Sequence, residues 1–177
     1  MKLVITGSKY LTTITPEFIY SAIMSAGINI TDITQIICRG DGGVNRTVEE
    51  FSAYVNNMVV GINYSEAKTH SAVGNGGMLA SPMKHPGTLP PNTHPSEIPL
   101  LETCFFYPTY EEHGKLAGAV RDRHMAEYAD RVLLIWDGLS KEDKNFKKVV
   151  QNLRKPMNEI IINSYLYEEP EEVVQEM

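Results

Sequence analysis

Along this chain, short continuous apolar runs take turns with longer stretches in which apolar residues recur at helical spacing. The first run, residues 3–6 (LVIT), closes at Gly7-Ser8, which predicts a strand ending in a turn. Thr15-Pro16-Glu17 supplies a helix start: a threonine cap, proline at the first helical position and an acid in the first turn. Phe18, Ala22, Ile23 and Ala26 fall on one face of that helix, and Gly27 closes it. A second strand, residues 34–38 (TQIIC), runs directly into Arg39-Gly40-Asp41-Gly42-Gly43. From Val44 the spacing turns helical again: Val44, Val48, Phe51, Val55 and Met58 form a stripe, with Glu49, Glu50 and Asn56 outside it.

Periodicity then lapses. Residues 59–64 (VVGINY) suit a strand, and glycine and proline crowd residues 64–101, which we read as an insertion loop or lid. Order returns with a strand at 102–107 (ETCFFY), stopped by Pro108, and a helix from near Gly118 to Ala129. Residues 131–136 (RVLLIW) are almost wholly apolar, as expected of a strand buried on both faces. After the Asp137-Gly138 turn, Ser140 caps a helix with Phe146, Val149, Val150 and Leu153 on one face, ended by Arg154-Lys155-Pro156. A last strand is expected at 159–163 (EIIIN), followed by an acidic tail at 164–177. Strand and helix alternate throughout. The pattern predicts one α/β domain over residues 1–177, a Rossmann-like open parallel sheet with helices on both faces.

Composition adds a few limits. A net charge of -6 argues against a surface built to grip long nucleic acid, though it allows a local basic pocket. No apolar run reaches the ~20 residues that span a bilayer. The opening MKLVITG is broken by glycine too soon for a signal peptide. These features imply a cytoplasmic protein with no membrane partner. Cys38 and Cys104 lie in strand-like segments without metal-ligand spacing, so buried free thiols are expected.

In such sheets, ligands sit in the crevice outside the carboxyl ends of the strands. Three loops are predicted there: Gly7-Ser8-Lys9, Gly40 to Arg46, and Trp136 to Ser140. In the middle loop, Gly40, Gly42 and Gly43 let backbone approach an anion, the following helix presents N–H groups, and Arg39 or Arg46 adds charge. Glycine there also serves a tight strand-to-helix turn with no ligand at all. Arg121 and Arg123 stand early in a helix, against its dipole, which fits either an anion site or ion pairs with Asp122, Glu127 or Asp130. Trp136 suits a base-stacking or a core role. His70, His85, His94, His113 and His124 show no zinc spacing, and neither a serine-nucleophile elbow nor a P-loop occurs.

In order, the segments Thr6-Gly7-Ser8-Lys9, Gly40-Asp41-Gly42-Gly43-Val44-Asn45-Arg46, Ala117-Gly118-Ala119-Val120-Arg121-Asp122-Arg123-His124-Met125 and Ile135-Trp136-Asp137-Gly138-Leu139-Ser140 resemble the motifs of the SLOG superfamily. This group includes DNA-processing protein A and the Lonely Guy phosphoribohydrolases, and the likeness is to its small stand-alone members in bacteria and phages. It covers most of the chain outside the long loop. It implies a pocket for a nucleotide or nucleotide-derived signal formed by Gly7, Ser8, Lys9, Gly40, Asp41, Gly42, Gly43, Asn45, Arg46, Gly118, Arg121, Trp136, Asp137 and Ser140. It further implies a homodimer, with no cofactor or metal, that sequesters or senses its ligand in phage–host conflict, in the host cytoplasm if phage-encoded.

The departures bear on chemistry. Lys9 replaces an arginine, Asn45 an aspartate, Ala119 a proline and Asp122 an asparagine, and the glycine-threonine step expected after the WDG-x-S turn is missing. The phosphoribohydrolase motif PGG-x-GT-x-x-E is absent, leaving Arg121, four residues before Met125, as the matching enzyme residue. Binding without cleavage is therefore the expected function. The alternative is a nucleoside-monophosphate N-glycosidase using Arg121 with Glu49, Glu50 or Asp137, and a second is single-stranded nucleic-acid binding.

Overall fold

The computed structural model describes residues 1–71 and 100–162, the side chains of 58–71 excepted. Within them lie five strands, β1 (Lys2–Gly7), β2 (Gln35–Arg39), β3 (Glu102–Phe106), β4 (Arg131–Trp136) and β5 (Met157–Ile161). Every neighbouring pair is parallel, and the spatial order is β3-β2-β1-β4-β5. The helices are α1 (Pro16–Ser25), α2 (Val44–Ser71), the single turn α3 (Tyr110–His113), α4 (Ala117–Tyr128) and α5 (Lys141–Asn152). This is the Rossmann-like α/β arrangement that the alternating pattern predicts. The chain winds outward from β1 to β3, then crosses back to β4 on the other side of β1. In sheets of this kind such a reversal marks the ligand crevice, here at the carboxyl ends of β1 and β4.

Alternation of side chains along the strands separates two cores. Leu3, Ile5, Ile36, Cys38, Leu133 and Ile135 face one way and pack with Ile19, Ala22 and Ile23 of α1 and Val44, Val48, Phe51 and Val55 of α2. Val4, Ile37, Val132, Leu134 and Trp136 face the other way, onto Met125 and Ala126 of α4 and Phe146 and Val150 of α5. The central strands are thus buried on both faces, which is why their sequences are continuous apolar runs. On α1 the stripe turns about Ile19, while Phe18 and Ala26 lie at its half-buried margin. Both cysteines are free. Cys38 is buried in one core and Cys104 half-buried against the other.

The strand expected at 59–64 is overturned, because α2 continues through it to Ser71. The two valines and Gly61 have low helix propensity and mimic a strand locally, but the helix is already nucleated from Val44 and propagates through them. Residues 64–71 therefore belong to α2 rather than to a loop. Residues 72–99 of the expected lid, with His85 and His94, lie outside the described residues, as does the tail from 163. Asn56, off the apolar stripe, holds two elements together. Its amide donates to Leu101 O (3.0 Å) and accepts from Leu101 N (2.8 Å), clamping the approach to β3. β5 begins two residues earlier than its apolar run suggests, since Met157 pairs with Val132. Among the described residues no helix is long and apolar enough to cross a membrane.

Two glycines at the sheet's carboxyl edge are required by space. A Cβ on Gly7 would collide with the carbonyl of Ile135, and one on Gly43, whose φ is +63°, would strike the backbone of Ser8 and Lys9. Gly118, on α4, faces open space. Gly43→Ala should therefore cost about 2 kcal/mol or more. Gly118→Ala should leave stability unchanged or raise it by up to ~1 kcal/mol. Urea unfolding of both variants checks the contrast.

Candidate functional site

The loops expected at the strand ends do converge, and they are joined by buried charge. Arg39, the last residue of β2, is 2% exposed. Its Nε and Nη2 donate to the two oxygens of Asp122 on α4 (3.2 and 3.0 Å), and its Nη1 donates to Asp143 on α5 (2.8 Å). The guanidinium also lies 5.1 Å from the centre of the Phe146 ring. Burial opposes the charge on Arg39, but Asp122 and Asp143 outweigh it and hold the group protonated. The other oxygen of Asp143 accepts from the Ser8 hydroxyl (3.0 Å), which itself accepts from the backbone N–H of Asp137 (3.3 Å). One chain of bonds therefore links the ends of β1, β2 and β4 to α4 and α5.

Arg121 extends this network toward solvent. Its Nε donates to the Asp122 oxygen that also accepts from Arg39 Nε (3.0 Å), so Asp122 bridges two guanidiniums. Its outer nitrogens meet Glu142 at 3.3 Å and Asp41 at 3.6 Å. The Arg121 side chain is 5% exposed, whereas those of Asp41 and Glu142 are 32% and 48% exposed, so the carboxylates form the mouth of the site. Burial raises the Asp41 carboxyl above its usual range, with Arg39 and Arg121 only partly offsetting it. Two guanidiniums face the four carboxylates of Asp41, Asp122, Glu142 and Asp143, an excess of negative charge.

The glycine loop is braced from beneath. Asn45 is 1% exposed; its amide nitrogen donates to Asp41 (2.6 Å) and to the carbonyls of Gly7 (3.4 Å) and Gly42 (3.5 Å), while its oxygen accepts from Thr6 (2.9 Å). An aspartate here would set a carboxylate against three acceptors, which accounts for the neutral residue. The Val44 N–H, at the head of α2, donates to Ser8 O (3.3 Å). Gly40 and Gly42 are exposed, whereas Gly43 is buried against the neighbouring loop.

At the third loop, Asp137 accepts from the N–H groups of Leu139 (2.9 Å) and Ser140 (2.8 Å), and Ser140 caps α5 by accepting from the Asp143 N–H. Burial would raise the Asp137 carboxyl, but the N–H groups of Ser140 and Leu139 and the Ser8 hydroxyl outweigh it and hold it below its usual range. Trp136 is 4% exposed and donates its indole N–H to Glu159 (2.8 Å); its burial supports the core role of the two open to it. Lys9 is exposed beside Tyr10. Its ammonium is raised chiefly by that tyrosine and further by Glu142 and Asp41. Arg46 is exposed and pairs with Glu50 (3.5 Å), and Arg123 pairs with Glu127 (2.8 Å). Gly118 lies half-buried in the first turn of α4, one turn before Arg121.

Glu142 and Asp143 escape a reading by motif, because the segment after Ser140 registers as a missing glycine-threonine step. The available signal is the capping pattern Ser140-x-x-Asp143, which sets an acid on the first turn of α5. Glu49 and Glu50 are exposed on α2. Burial pushes the Cys38 thiol up to about 12, which disfavours its thiolate. Among the described residues no group of histidine, cysteine and carboxylates could hold a metal ion. Comparison of the chain with protein-family models, curated proteins and solved structures found no match.

Removing Asp143 leaves the buried Arg39 short of a partner. Asp143→Ala should cost about 3–5 kcal/mol, read from urea unfolding. The acid limb of stability carries a second expectation. Asp137 stays ionised in the fold to lower pH than in the unfolded chain, so the unfolded chain binds more protons and stability falls as pH drops. The Tm of Asp137→Asn should therefore fall less than that of the parent between about pH 5 and about pH 3.

Proposed function

We propose that this crevice binds a nucleotide or nucleotide-derived signalling ligand and holds it without cleaving it. The supporting observation is the Arg39–Asp122–Arg121 network, buried at the carboxyl edge of the sheet, the edge where ligands sit in Rossmann-like folds. Buried charge is costly and often neutral or worse for stability compared with an apolar core, so its presence in a crevice points to a ligand. The ordered likeness of four loops to SLOG motifs favours a nucleotide. Extended through that likeness, the reading is of a cytoplasmic homodimer that sequesters or senses a signal, in phage–host conflict where the chain is phage-encoded.

The charge balance refines the ligand. A phosphate reaches Arg121 by displacing the half-exposed Glu142, and sugar hydroxyls find acceptors in Asp41 and Glu142. Each further phosphate meets the surplus carboxylates. A single phosphate is therefore favoured over a triphosphate.

One observation keeps the glycosidase reading in view. Glu49 and Glu50 are exposed on α2, Asp137 is tied to backbone N–H groups, and the carboxyl with a raised pKa beside Arg121 is Asp41. A proton donor for a departing base would be Asp41.

Calorimetric titration with adenosine mono-, di- and triphosphate, and with the other common nucleoside monophosphates, tests both readings. Binding should weaken with each added phosphate, and Arg121→Ala should lose about 10- to 100-fold for a monophosphate. Absence of binding by every nucleotide, including ADP-ribose and cyclic oligonucleotides, would refute the proposal. Free base on chromatography after incubation, lost in Asp41→Asn, would replace binding with hydrolysis.

A further inference from the structure

We propose that Tyr107 is the platform on which the ligand's planar base stacks, an inference that rests on the nucleotide reading above. Tyr107 follows β3 directly, and its ring lies against Gly40 so closely that a Cβ there would collide with it. Gly40 is not among the glycines with positive φ, so its backbone does not call for glycine. The ring does. On its other flank Tyr107 stacks with Phe105, centroids 6.1 Å apart and planes 29° from parallel, and Phe105 packs against the core. Yet Tyr107 is 63% exposed.

A ring held in place by backbone and a core aromatic, with most of its surface open, suits base stacking. It loses little freedom when a ligand arrives. Its position suits the site as well, since its ring meets Gly40, the residue before Asp41, and Asp41 lies 3.6 Å from Arg121. Tyr10 flanks the far end of the same loop, where Gly43 meets the backbone of Lys9, and is 74% exposed. The Lys9 ammonium stands 5.0 Å over that ring, so one of its faces is already occupied. Tyr107 is the better platform.

The test is calorimetric titration of the four common ribonucleoside 5′-monophosphates, and of ribose 5-phosphate, into the parent protein, Tyr107→Phe, Tyr107→Trp, Tyr107→Leu and Tyr10→Leu. Thermal unfolding of each variant is measured alongside. Tyr107→Phe and Tyr107→Trp should keep monophosphate affinity within a few fold, and Tyr107→Leu should lose about tenfold or more. Ribose 5-phosphate, which has no base, should bind the parent and Tyr107→Leu equally. An equal loss for ribose 5-phosphate would reduce Tyr107 to a support for the loop. Unchanged monophosphate binding in Tyr107→Leu, or failure of Tyr107→Phe and Tyr107→Trp to retain it, overturns the assignment, as does a larger loss in Tyr10→Leu. If the parent binds none of the monophosphates, the nucleotide reading of the site falls, and the platform with it.

Discussion

The guanidinium of Arg39 joins the end of β2 to α4 and α5 at the carboxyl edge of the sheet. It leaves the end of β2 and is gripped by Asp122, 83 residues on, and by Asp143, 104 residues on. Taking such an ion out of water costs several kcal/mol, and close, fully partnered geometry is needed to offset that. Here the partners are complete: both oxygens of Asp122, one of Asp143 and the face of Phe146. Because the second oxygen of Asp143 accepts from Ser8, and Ser8 from the backbone at Asp137, the network also ties together the residues that follow β1 and β4. Loops that would otherwise vary independently are locked to one another.

That constraint changes how the glycine loop is understood. Gly43 serves close packing on Ser8 and Lys9, and Asn45 fastens the loop to Thr6 and Gly7. The parts left exposed or half-exposed are Gly40, Asp41 and Gly42, with Arg121 beside Asp41 and Tyr107 beside Gly40. The proposed chemistry is accordingly less a phosphate cradle of backbone N–H groups than a charged floor with carboxylates at its mouth and an aromatic wall. Asn45, in place of an acid, is explained by the three acceptors around it as well as by any loss of catalysis.

Much of this was legible along the chain. The apolar runs at β1, β2 and β4 announce strands buried on both faces, and caps at Thr15 and Ser140 mark two helix starts. Three loops at carboxyl ends follow from that alternation. The misreadings share a cause, for residues 59–64 mimic a strand locally, and only the continuity of α2 decides them. Asn56 looks like a solvent-facing polar residue until β3 is brought alongside it.

By itself, then, the sequence determined the strand and helix alternation outside residues 59–71, the parallel sheet and the gathering of glycine loops at one edge. These depend on period and capping, which act over a few residues. Tertiary structure alone decided that Arg39 is buried rather than offered to a ligand, that Arg121 shares Asp122 with it, and that Asp143 closes the network. It also decided that Tyr107 lies on Gly40. Each of these is a contact between residues distant in the chain, and such a contact exists only once the sheet order has brought their strand ends together.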